Sequence, residues 1–225
     1  LDGPGSTRNG DRWRAVTGAA HRVLAGNDHL AAQAARPDRA VVLPTPVDTD
    51  RIQPGPAGGR LPGLVVWIGS RTNLPNLDLV LPAFARAARD RPRARLAVMA
   101  DRPPAGLAGN MEFLPWSPDA ERALLARASV GIMPLADTPF NRGKCGFKIL
   151  LYQAAGLAVA ASPVGVNASL VDPGRDGYLP RDAGEWEAAL AHLLDDPRET
   201  ARFGERGRER VASTHSVAAL YPRFR

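Results

Sequence analysis

A single cysteine, Cys145, stands in 225 residues. That excludes an internal disulfide and any metal cluster built on cysteines, and it fits a reducing compartment. Four histidines, His21, His29, His192 and His215, show no metal-ligand spacing, so neither a metal nor a resident cofactor is expected. Long apolar runs are missing. Leu64 to Ile68 and Leu157 to Ala161 stop after a handful of residues, whereas a membrane span needs about 20. The segment Leu1 to Arg14 lacks the charged-then-apolar order of a signal peptide. Because the chain opens on Leu1, its start reads as a gene-fragment boundary, and the expected location is cytoplasmic. The G-x-G-x-x-G fingerprint is absent, which counts against a nicotinamide enzyme.

What is abundant is positive charge, a formal +6 that comes mostly from arginine. Such an excess attracts nucleic acid, acidic headgroups or pyrophosphate alike. Most arginines alternate with Asp and Glu in helical segments such as Arg86 to Arg95 and Arg198 to Arg210, as a solvated face does. No basic stripe interleaved with aromatics accompanies them, so nucleic acid is not an expected partner.

Residues Leu1 to Asp11 carry no apolar period and are expected to lack fixed structure. Arg12 to Ala35 has helical spacing, broken at Gly26-Asn27-Asp28, where Asn27 or Asp28 is placed to cap a new helix. Ala40 to Leu43 reads as a short buried strand. Pro44, Pro46, Pro54, Pro56 and Pro62 then make a stretch hostile to helix and sheet. The expected organisation is residues 1–50 as a start without structure plus the tail of an otherwise missing domain, 51–63 as a linker, 64–215 as one domain and 216–225 as a tail.

Beyond the linker, apolar runs at Leu64 to Ile68, Ala94 to Ala100, Met111 to Leu114, Ser129 to Leu135 and Leu157 to Ser162 read as strands. Helical patterns fall at Pro75 to Arg89, Pro118 to Ala128, Lys144 to Ala155, Ala183 to Asp195 and Pro197 to Thr214. Unalternating strands covered on both faces, joined by helices, imply an α/β fold with a doubly wound parallel sheet. Its ligands bind at the carboxyl ends of the strands.

Three turns lie there. Gly69-Ser70-Arg71-Thr72-Asn73 offers close backbone approach, a hydroxyl and a guanidinium before a helix start, in the manner of a phosphate site; a well-capped strand-to-helix turn needs the same residue types. Arg142-Gly143-Lys144-Cys145-Gly146-Phe147-Lys148 gathers three cations within seven residues, with Lys144 and Lys148 at i and i+4 expected on one helical face, and reads as an anion cradle. Cys145 fits a small packing residue, with no neighbouring histidine to activate it. The third turn, Ser162 to Asn167, has Gly165 and Val166 with amides placed for a sugar or phosphate, and Asn167 as a cap for Ala168 to Val171. Trp116, at a strand end, is placed either to edge a nucleobase or to cover the sheet end.

At these residues the sequence resembles glycosyltransferase family 4, retaining enzymes of the GT-B fold, from about Val23 to His215. Val23 to Leu30 looks like the last helix of that family's N-terminal domain, and Val42-Leu-Pro-Thr-Pro-Val-Asp48 is similar to its crossing between domains. Leu64 to Ser70 resembles the first donor-domain strand and turn. Ala154 to Gly165 resembles the family's "A-x-G-x-P-V-V-A-[ST]-x-x-G" segment, and Val171 to Leu179 the loop after it. The resemblance implies a C-terminal half that binds a nucleoside diphosphate sugar, whose glycosyl group passes with retention to a glycan, lipid or small-molecule acceptor on the other domain. A lipid-linked acceptor would bring a peripheral contact with the inner membrane face.

Two glutamates usual in that family fall here on Gly143 and Leu151, and its arginine and lysine after the first strand correspond loosely to Arg71 and Pro75. The cations of the branch bearing "R-G-K-C-x-x-K" are Arg142, Lys144 and Lys148. Lys148 and Lys144 are thus the expected catalytic cations, stabilising charge on the leaving diphosphate. Donor contacts are expected from Gly69, Ser70, Arg71, Trp116, Arg142, Gly143, Phe147, Gly165, Val166 and Asn167. The competing reading is a non-catalytic, degenerate binding module. An epimerase would need acid and base carboxylates that the sequence does not supply. Lacking its acceptor half, the fragment is expected to bind a nucleotide and transfer little.

Overall fold

A computed structural model describes residues 7–56, 58–107 and 109–224. Six parallel strands form the main sheet: β3 (Leu64–Ile68), β4 (Arg95–Ala100), β5 (Met111–Pro115), β6 (Val130–Met133), β7 (Ala158–Ala161) and β8 (Gly177–Tyr178). Their spatial order is β5-β4-β3-β6-β7-β8. The chain therefore builds outward from β3 to one edge, returns, and builds outward from β6 to the other. The doubly wound parallel sheet expected from the sequence is observed. β8, only two residues long, escaped the sequence pattern because it carries no apolar run.

The apolar residues of β3, β4 and β7 divide by period two between two cores. Val66, Ile68, Met99, Val159 and Ala161 face helices α5 (Pro118–Arg127) and α7 (Phe147–Ala154). Val65, Trp67, Leu96, Val98, Ala158 and Ala160 face α3 (Leu74–Leu77), α4 (Leu81–Ala87) and α9 (Ala183–Asp195). α10 (Pro197–Thr214) runs against β7 and α7 and feeds Val211 to the first core and Phe203 to the second.

Several local expectations need correction. The single helix expected over Pro75 to Arg89 is broken into α3 and α4, since Pro82 has no N–H to donate inside a continuous helix and sits instead in the first turn of α4. The helix expected from Lys144 begins at Phe147, because Gly146 adopts φ 67°, a left-handed conformation that helical residues do not take. The short helix α6 (Pro139–Arg142) precedes it, capped by the Thr138 side chain. Asn167 does not cap α8 (Asn167–Leu170); it is the helix's first residue and its side chain is buried.

The start of the chain also differs. Residues 7–11, expected without structure, belong to helix α1 (Thr7–Ala19), docked by Trp13 Nε1 donating to Gln33 O at 3.1 Å and by the Ala35 amide donating to Thr17 Oγ1 at 3.0 Å. Residues 1–6 lie outside the described residues. The helical spacing of Arg12 to Ala35 conceals a strand, β1 (Val23–Ala25), paired in parallel with β2 (Ala40–Val42). The segment likened to a last helix is thus strand, turn and the short helix α2 (Asp28–Ala32), capped as expected by Asn27. Among the described residues of 48–63 there is no helix or strand. That stretch is fastened to the domain by Arg60, donating to the carbonyls of Ala128 and Ala155, and by Arg208, donating to Thr49 and Ile52. α11 (Val217–Leu220) is joined just ahead of this stretch at Val47, which exchanges backbone bonds with His215 and Val217.

One buried contact sets α7 against the sheet. The Ile68 amide, at the end of β3, donates to the hydroxyl of Tyr152 at 2.9 Å. The ring lies on Gly131 of β6, where a Cβ would come within 2.2 Å of it. Burial pushes the Tyr152 hydroxyl up, which keeps it protonated. Replacing Tyr152 with Phe would leave the Ile68 amide buried and unpaired, so urea unfolding of Tyr152→Phe is expected to show a loss of about 1–3 kcal/mol with an unchanged m-value.

Candidate functional site

The crevice opens where winding reverses, at the carboxyl ends of β3 and β6, the place at which doubly wound sheets accept ligands. It is a cleft of about 280 Å³ lined by Trp67, Ile68 and Gly69 from β3 and its turn, Asn73 and Asn76, Ile132 to Leu135 from β6, and Lys144 to Lys148. The wall is largely apolar, with a few polar groups converging on it, as ligand sites generally are.

Lys144 and Lys148, the only lysines in the chain, both stand here and both are half-buried. They do not share a helical face as expected, since Lys144 precedes α7; the turn through Gly146 brings them together instead. Lys144 Nζ is bonded to Asn73 Oδ1 and lies 5.4 Å from the centre of the Phe140 ring. Lys148 is reached by the charge of Glu121, on α5. Burial pushes both ammonium groups below the ordinary lysine value, and for Lys148 Glu121 opposes that shift. A buried cation without a bound counter-charge costs free energy, which an anion in the cleft would offset. The first amides of α7, at Phe147 and Lys148, have no acceptor within the helix and add donors at the same place.

The remaining predicted residues divide into those inside the cleft and those around it. Gly69 and Phe147 line it, Phe147 with 46% of its surface exposed. Ser70 and Arg71 lie beside it: Ser70 Oγ accepts from Asn73 Nδ2 at 3.0 Å, and the Arg71 amide donates to Asp101 at 2.6 Å while its side chain is exposed. Arg142 is also exposed and holds Asp137 with both ends of its guanidinium, at 2.6 and 2.8 Å. Trp116, 51% exposed at the end of edge strand β5, donates its indole N–H to Glu121 at 2.9 Å.

Gly143, Gly165, Val166 and Asn167 form the backing of the lysine turn. The carbonyls of Gly143 and Lys144 accept from Asn27 Nδ2, both at 3.1 Å, which ties the turn after β1 to the lysines. Gly165 packs on the Arg142 carbonyl and Val166 behind Gly146. Asn167 Nδ2 donates to Ser162 O at 3.1 Å, while its Oδ1 is buried with no partner among the described residues. Cys145 packs against Gly26, where a Cβ would approach its Sγ to 2.3 Å, in keeping with a packing role. Sequence reasoning had Asn27 only as a helix cap and Asn73 only as part of its turn, and it missed Asn76. Isolated asparagines give no periodic signal, and only the fold brings them to the lysines.

The profile of the family described as "Glycosyl transferases group 1" matches residues 62–196. Over 232 residues the chain is 28% identical to a D-inositol 3-phosphate glycosyltransferase 2 of Catenulispora acidiphila, covering 88% of this chain and 53% of that protein. It is 31% identical over 212 residues to an MMP alpha-(1->4)-mannosyltransferase of Mycolicibacterium hassiacum, covering 86% and 49%. The chain spans about half the length of these curated relatives. Among solved structures it is similar to Anabaena Alr3699/HepE, crystallised with UDP and glucose, at a TM-score of 0.79 and 16% identity, over 97% of this chain and 66% of that one. With more than half of its length matched by the profile, and with the doubly wound sheet and its switch-point cleft in place, the chain belongs to the group 1 glycosyl transferases.

Proposed function

We propose that this chain is the donor-binding part of a glycosyltransferase, that its cleft takes the diphosphate of a nucleotide sugar, and that the glycosyl group passes with retention to an acceptor held by a further domain. The observation that carries this reading is the placement of the chain's only two lysines on one cleft at the switch point of the sheet. The crystallised neighbour with UDP and glucose, and the sugar-transferring activities in the relatives' names, agree with it.

As the bond between the anomeric carbon and the β-phosphate oxygen breaks, its electron pair leaves with that oxygen. Fixed ammonium groups and helix-start amides stabilise the growing charge more than they stabilise the bound donor. Lys148 and Lys144 are assigned this role, assisted by the amides of Phe147 and Lys148. Arg142, engaged with Asp137, would reach a phosphate only by exchanging one anion for another. The acceptor oxygen forms the new bond to the anomeric carbon on the face that the diphosphate leaves, and its proton passes to the departing phosphate oxygen; the acceptor is held by the further domain, whose tail is the segment before Pro44.

One observation favours a second reading, a binding module without transfer activity. Leu151, where the family resemblance places a glutamate, is 2% exposed and belongs to the apolar core, so no carboxylate stands there to hold a donor hydroxyl.

Calorimetry at low salt is expected to show micromolar binding of UDP or GDP to the wild type, weakened about tenfold or more by Lys148→Ala. A folded wild type that binds neither would rule the donor-site reading out. The depressed ammonium groups also make binding pH-dependent. Each lysine loses its proton, and with it the attraction for the diphosphate, at a lower pH than an ordinary lysine does, so affinity falls as pH rises through the depressed values. Reductive methylation with labelled carbon gives one NMR signal per lysine besides the N-terminal amine. Both lysine signals are expected to titrate below the ordinary lysine range when free and to move upward with nucleotide bound. Two ordinary titrations would contradict the burial argument.

A further inference from the structure

Another cleft wall carries a neutral group whose orientation is settled by its neighbours. Asn76, in α3, lines the cleft. Its Oδ1 accepts from the Ala136 amide and from Asn141 Nδ2, both at 3.0 Å. Asn141 is itself buried and fixed by a second bond from the same nitrogen to Ala136 O at 2.8 Å. Both partners of Asn76 are donors, so a reversed carboxamide would set an NH2 group against two N–H groups. The oxygen is therefore committed to the protein.

The Nδ2 of Asn76 has no hydrogen-bond partner among the described residues, and it is not among their buried unpaired atoms. It is therefore open to solvent, on a residue that lines the cleft. Nearby, Pro75 brings no charge, the guanidinium of Arg71 is exposed, and Asn73 is already bonded to Lys144 and Ser70. Asn76 thus offers a pair of N–H donors, held in place through its oxygen, that nothing among the described residues receives. A neutral donor adds to an anion site without repelling the cations already there.

We infer that Asn76 is a binding and specificity residue of this site, donating to an oxygen of the diphosphate that Lys144 and Lys148 attract. This rests on the reading of the cleft as a diphosphate site. It predicts that the site selects ligands by the geometry of two cations and one fixed amide, so that a carboxylate at position 76 would be tolerated by the fold and refused by the ligand. The two oxygens of an aspartate can still accept from Ala136 and Asn141, while the N–H donors are exchanged for a negative charge.

The test is calorimetry of the wild type, Asn76→Asp and Lys148→Ala with UDP, GDP and inorganic pyrophosphate, with melting temperature measured on each. Asn76→Asp is expected to melt at or above the wild-type temperature and to bind every diphosphate about tenfold or more weakly, pyrophosphate included. Asn76→Ala removes the donors without adding charge, is expected to weaken binding by a smaller factor of about three to ten, and decides the question if the aspartate variant does not fold. Wild-type affinity in a folded variant, alongside loss in Lys148→Ala, overturns the role of Asn76 and leaves the donor site standing. Weakened UDP or GDP binding with unchanged pyrophosphate binding overturns the diphosphate contact and moves Asn76 to the nucleoside. A folded wild type that binds none of the three overturns the site and this inference together.

Discussion

The hydrogen bond from the Ile68 amide to the Tyr152 hydroxyl is the constraint on which the site depends. It joins the last residue of the central strand to the helix that follows the lysine turn, and it does so in a fully buried setting where neither partner has water as an alternative. Lys148 and Tyr152 are four residues apart on α7 and so lie on one face of it. Once Tyr152 is seated on Gly131 and under Ile68, Lys148 is carried to the carboxyl end of β3. The turn before it, with Gly146 left-handed, then places Lys144 on the same cleft.

The two kinds of cation in this chain serve different ends. Arginines take most of the positive charge and many are spent in exposed pairs, such as Arg86 with Glu187 and Arg142 with Asp137, which contribute little to stability. The two lysines are kept off that surface and half-buried, at a desolvation cost visible in the direction of their titration. On the proposed reading, a compact ammonium on a flexible stem suits a charge that must meet a phosphate oxygen closely. Asn73 holds one of them from the side, and the asparagines at 76, 141 and 27 stiffen the walls and the back of the lysine turn. The uncharged amides supply the geometry and the lysines the attraction.

Five strands and the two long C-terminal helices were legible in the sequence because their apolar runs and periods are those of a sheet covered on both faces. The lysine turn was legible because its cations and glycines crowd a strand end. What misled was local pattern under tertiary control. Val23 to Ala25 has helical spacing around it and becomes a strand because Ala40 to Val42 offers it a ladder. Lys144 has helical spacing to Lys148, but Gly146 ends that register. Asn167 has the residue type of a cap and is instead drawn inside to Ser162.

By itself the sequence determined the class of fold and the crowding of cations and glycines at the carboxyl end of its strands, since periodicity and charge are properties of the chain read in order. The tertiary structure decided which of the candidate residues meet. It separated Arg71, Arg142 and Trp116 from the cleft and gathered Asn73 and Asn76 into it, because hydrogen-bond partners 60 to 71 positions apart, such as Asn76 with Ala136 and Asn73 with Lys144, are joined only when β3 and β6 lie side by side.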